Sequence, residues 1–162
     1  MKKCVLLLLV MVLLAGCGAQ ETFETLADVY APAKPAQHRA VTLTLPEGTT
    51  ATSLESENGE YYICGDFEFG IETMDAGDLS RTVSAVCGYS MEDVNVIQTQ
   101  TEEFDRYDFV WCAVGEAGDQ IGRAVILDDG NYHYVLTAMT DADSAGDLRQ
   151  AWNEMFASFG LN

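Results

Sequence analysis

Residues 107–114 (YDFVWCAV) and 132–139 (YHYVLTAM) decide the fold. Side chains alternate across an extended chain. The first stretch therefore puts Tyr107, Phe109, Trp111 and Ala113 on one face, and Asp108, Val110, Cys112 and Val114 on the other. The second divides into Tyr132, Tyr134, Leu136 and Ala138 against His133, Val135, Thr137 and Met139. Both strands are largely apolar on both sides, the pattern of strands buried between two layers. Residues 94–101, with Asn95, Gln98, Thr99 and Gln100, suit an exposed edge instead.

Outward from these strands, residues 41–45 alternate as V-T-L-T-L and stop at Pro46-Glu47-Gly48, and the polar run to Glu60 reads as a loop. Residues 61–64 and 67–73 flank Gly65-Asp66, a two-residue hairpin turn, and Asp129-Gly130 is a second hairpin signal between 121–127 and 132–139. Within the domain two segments carry helical periodicity. Leu79, Val83 and Val86 form one stripe within 75–87, with Asp75 and Asp78 at its start and Gly88 as its stop. Leu148, Trp152, Met155, Phe156 and Phe159 form the other, preceded by Asp141, Asp143 and Asp147 and followed by Gly160. The expectation is an α+β domain over 41–162, a mainly antiparallel sheet with helices packed on both faces.

The order of elements, with Leu45-Pro46 closing the first strand, Tyr132-His133-Tyr134-Val135-Leu136 before the last helix and Met155-Phe156-Ala157-Ser158-Phe159 at the end, resembles the PsbP-like α/β/α sandwich of small bacterial lipoproteins. That resemblance implies a fold and an accessory or binding role, with no catalytic residues to carry over.

The amino terminus sets the expected compartment. Met1-Lys2-Lys3 is cationic, residues 5–14 are wholly apolar, and Ala15 and Gly16 are small, which is the three-part pattern of a secretory leader. The apolar run is too short for a span, which needs about 20 residues. Leu14-Ala15-Gly16-Cys17 resembles the lipobox of bacterial lipoproteins. The resemblance implies cleavage between Gly16 and Cys17, a diacylglyceryl group on the Cys17 sulfur, and processing by the lipoprotein enzymes. Residues 1–16 are thus expected to leave as signal peptide, and 17–40, with Pro32 and Pro35, to act as a tether. Within it Phe23, Leu26, Ala27 and Tyr30 recur at helical spacing, either a short docking helix or a nascent turn. The predicted location is the extracytoplasmic face of a membrane in the cell envelope, with the lipid as membrane contact.

Loss of the leader takes Lys2 and Lys3 but no acid, moving the formal charge from −18 (8 basic against 26 acidic residues) to −20 (6 against 26). Such a chain repels polyanions, so nucleic acid is excluded as a partner. The domain keeps Cys64, Cys87 and Cys112. They read as three small buried hydrophobes, or else as a bridge between Cys64 and Cys112 with Cys87 free.

Chemistry is sparsely marked. Asp141-Ala142-Asp143-Ser144-Ala145-Gly146 begins like a calcium loop, but Ala145 and Trp152 stand where oxygen ligands are required, so the acids are read as helix-terminal partners. With no CxxC and no paired His, neither a metal nor a cofactor is expected. Cys112 and His133 form the one conceivable catalytic pair, the basis of a rival reading as a small envelope enzyme, alongside a metal held by surface acids. Tyr61, Tyr62, Trp111, Tyr132 and Tyr134 could line an aromatic surface for sugars or peptides, with Tyr61, Trp111, Tyr132 and Tyr134 as the ligand-binding candidates, although aromatics in strands are more often core. The function expected is a non-catalytic binding or accessory module for a protein or small ligand.

Overall fold

The computed structural model describes residues 37–52, 59–115 and 118–162. Cys17, the cleavage site at Gly16, the leader and all of the tether before residue 37 lie outside the described residues. In chain order the domain runs β1 (Val41–Thr42), β2 (Thr50–Ala51), β3 (Gly59–Cys64), β4 (Phe67–Asp75), α1 (Leu79–Cys87), β5 (Ile97–Gln100), β6 (Asp105–Ala113), β7 (Gln120–Asp128), β8 (Tyr132–Asp141), α2 (Ala145–Ser158) and β9 (Gly160–Leu161). Seven strands form one antiparallel sheet in the order β2-β3-β4-β8-β7-β6-β5. Among the described residues the fold is α+β with one helix on each face of this sheet, as expected.

The two hairpin turns sit where turn chemistry placed them. Cys64 pairs with Phe67 across Gly65, whose φ of 58° is left-handed and costs glycine nothing. Between β7 and β8 the Asp129 carboxylate collects the amides of Asn131 and Tyr132, and Gly130 takes a φ of 86°.

β8 is the central strand and is buried on both sides. Tyr132, Tyr134, Leu136 and Ala138 join Phe67, Phe69, Val125 and Leu127 under Trp152, Met155 and Phe156 of α2. On the opposite face Val135 joins Ile126, Ala124, Phe109 and Trp111 beneath Val83 of α1. Trp111 lies flat over Gly122, its cross-strand partner, where a Cβ would stand 2.2 Å from the indole.

Several expectations are corrected. β6 is apolar on both faces but buried on only one, since Val110 is 58% exposed and Val114 beyond it 81%. α2 reaches this strand at Arg106 but leaves Val110 exposed, and the salt bridges of Asp108 with Arg106 and Arg123 lie between the covered and the open part. The first expected strand pairs only at Val41–Thr42, and with β9 outside the main sheet. Gly160, which follows α2 as expected, lies in that small pairing. The helix ends at Phe159 in an extended conformation, and the Arg106 guanidinium donates to the carbonyls of Phe156 and Phe159 at 2.9 and 3.2 Å. At its start only Asp147 lies in the first turn, because Asp141 is still the last residue of β8. Likewise Asp75 ends β4, and Asp78 alone caps α1 through the Ser80 amide at 3.0 Å. Gly88 closes α1 in the left-handed conformation as expected. Residues 38–40, assigned to the tether, are bound to the domain: the His38 ring meets Tyr132 edge-on, and the Arg39 amide donates to the Tyr134 hydroxyl at 2.8 Å.

Candidate functional site

The nine-residue α1 covers the β6–β7–β8 side of its face and leaves the β3–β4 side open. A groove of about 440 Å³ results. Its wall is Ala85 and Val86 of α1, and its floor is built from Tyr61 and Ile63 of β3, Glu68, Gly70 and Glu72 of β4, and Thr137 and Met139 of β8. Register explains the gathering. Tyr61 pairs with Gly70, which pairs with Thr137, and Glu68 pairs with Met139, so these side chains share one face of three neighbouring strands. Gly70 is required beneath the ring, because a Cβ there would lie 2.8 Å from Tyr61 Cδ1. The Tyr61 hydroxyl donates a short hydrogen bond to Glu72 Oε1, which fixes that carboxylate at one end of the groove. Glu68 stands at the other end, and none of the lining residues carries a positive charge. A second hollow of about 360 Å³, bearing Asp66 and Asp141, shares Ile63, Glu68 and Met139 with the first and continues it past the hairpin turn.

Of the five aromatics singled out in the sequence, Tyr61 and Tyr62 line this groove. Trp111 is in the core under α1, whereas Tyr132 and Tyr134 are in the core under α2, so the five share no common surface. Glu68, Glu72, Gly70 and Met139 were missed. Their signal was present in 68–72 (E-F-G-I-E) as alternation of an acid or glycine with a large apolar residue, but it acquires meaning only once β4 is placed beside β3 and β8.

The catalytic pairing of Cys112 and His133 is contradicted. Cys112 is exposed on the α2 side of β6, while His133 is fully buried on the α1 side of β8, with β7 between the two strands. Its Nδ1 is 2.8 Å from the Thr82 hydroxyl and its Nε2 3.4 Å from Asp128 Oδ2, an internal strut that holds α1 on the sheet. The Nε2 contact is too poorly aligned to count as a hydrogen bond, leaving that atom without a partner of good geometry. A bridge between Cys64 and Cys112 is equally excluded: both are free thiols, on β3 and β6, four strand spacings or about 19 Å apart. Cys64 and Cys87 are the small buried hydrophobes expected, and Cys112 is not. Among the described residues no group of three His, Cys, Asp or Glu is placed to hold a metal ion.

No family model and no curated protein matches the chain. Solved structures do. The cyanobacterial PsbP protein of Synechocystis superposes with a TM-score of 0.53 over 80% of this chain and 97% of its own, at 8% identity. The fold is PsbP-like. The Saccharomyces cerevisiae Ran-binding protein Mog1p gives 0.56 over 75% of this chain and 90% of its own, at 11% identity. A Bacteroides thetaiotaomicron protein gives 0.52 at 10% identity, and this chain spans only 45% of its length. At such identities the likeness is one of fold, and the chemistry of the PsbP-like scaffold here rests on the groove's own residues.

Proposed function

We propose that this chain is a lipid-anchored accessory domain of the bacterial cell envelope, tethered through Cys17 on the extracytoplasmic face, that binds a ligand in the groove beside α1. The groove carries this reading. Its volume lies within the roughly 300–1,000 Å³ of small-molecule sites, and it combines apolar walls with a few placed polar groups. The Leu14-Ala15-Gly16-Cys17 sequence supports the anchor, and among the described residues no helix is long and apolar enough to cross a membrane. The fold accommodates a binding role, as the name of Mog1p says of that protein. The separation of Cys112 from His133 across the sheet favours binding over catalysis.

The test is a thermal-shift panel of anionic, neutral and cationic small molecules on the full chain in neutral detergent. Ala85→Trp fills the groove from an exposed helix position without touching either core. A ligand that raises Tm of the wild type by several degrees and leaves Ala85→Trp unmoved supports the reading. A panel in which no compound separates the two proteins contradicts it.

A further inference from the structure

The groove's ends are both acidic and its middle is not. Glu68 and Glu72 point to the same face of β4, four residues or about 13 Å apart along the strand. Between them lie the Tyr61 ring over Gly70, Thr137 and Met139, and the apolar wall of Val86. We propose that the ligand of this groove is a linear aliphatic polyamine, an inference that rests on the groove being a binding site. One ammonium group would lie at each carboxylate and the methylene spacer between them.

Charge complementarity decides the class. Two carboxylates without a cation among the lining residues, on a chain of net charge −18, repel anions and draw cations inward. The bond from Tyr61 occupies one acceptor position of Glu72, while an ionised carboxylate offers about four, so the group is aimed yet still able to receive an ammonium N–H. The ring face beneath adds a cation–π surface for the ligand's inner amine. The spacing decides the shape: a compact cation reaches one carboxylate only, whereas a flexible chain with terminal amines reaches both and covers the apolar floor. Buried methylenes then add to affinity.

Isothermal titration of the full chain in neutral detergent at low ionic strength, with spermidine and with propylamine, tests this. Saturable one-to-one binding of spermidine is expected, tighter than that of propylamine. Glu68→Gln and Glu72→Gln should each weaken it about tenfold or more, the loss of one charge-assisted hydrogen bond. Glu154→Gln, on the exposed side of α2, should leave it unchanged. Ala85→Trp, which leaves both carboxylates in place, should also abolish binding, and it keeps the test decisive if a glutamine variant misfolds. Equal weakening by Glu154→Gln and the groove variants would mean general adhesion to an acidic surface and would overturn the proposal. If spermidine fails to saturate while an anionic or neutral compound still separates wild type from Ala85→Trp, the polyamine falls and the binding groove stands.

Discussion

At the scale of single residues, two positions hold more of the structure than their size suggests. Gly122 lets the Trp111 indole lie flat on β7, and a Cβ placed 2.2 Å from the ring would force the indole or the strand to shift. Gly122→Ala should therefore destabilise by about 1–3 kcal/mol, seen as a lower denaturation midpoint with an unchanged slope, and Trp111→Val in the same chain should recover part of that loss. Asp129 acts through charge. Burial works to raise its carboxyl, but the amides of Asn131 and Tyr132, the Tyr134 hydroxyl and the nearby Arg39 outweigh it, and the group is held below the usual aspartate range. Because the folded value is the lower one, the stabilisation is present above the unfolded value and lost as pH falls from the ordinary carboxylate range through the depressed one. Asp129→Asn should be less stable at neutral pH and show a flatter loss across that acid window when midpoints are measured against pH.

At the scale of elements, how much was legible depended on whether an element's partners were local. The Gly65-Asp66 and Asp129-Gly130 turns, the stripe from Leu148 to Phe159 and the edge strand around Gln98 follow from periodicity and turn chemistry. The pairing of β1 with β9 was not legible, since it joins Val41 to Leu161 across the whole domain. Nor was the open second face of β6. Alternation reports that Val110 and Val114 are apolar, not that α2 fails to reach them, and their exposure is visible only after docking. The groove was hidden for a related reason. It is a consequence of α1 being nine residues long on a seven-stranded sheet, while its carboxylates looked like an ordinary solvated face. Two substitutions separate the covered part of the sheet from the open part. Phe156→Ala removes a side chain that is fully buried and lies 4.4 Å beneath the Arg123 guanidinium, and should cost about 3–5 kcal/mol. Ile97→Lys, on an edge strand where the residue is 61% exposed, should stay within about 0.5 kcal/mol of wild type. Denaturant melts of the two variants check the contrast.

At the scale of the whole molecule, the acidic charge, the PsbP-like scaffold and the lipobox-like leader bear on one another. Two or three acyl chains anchor a protein stably where one is marginal, at about 0.8 kcal/mol for each buried methylene. Under the proposed processing at Cys17 the formal charge would be −20, and an anionic bilayer would repel a chain of that charge. Intact-mass and amino-terminal peptide spectrometry of the chain extracted from the membrane fraction tests this placement most directly. The account predicts a polypeptide that begins at Cys17 and carries a diacylglyceryl thioether on that sulfur. A chain that begins elsewhere, or a Cys17 with an unmodified thiol, would contradict it.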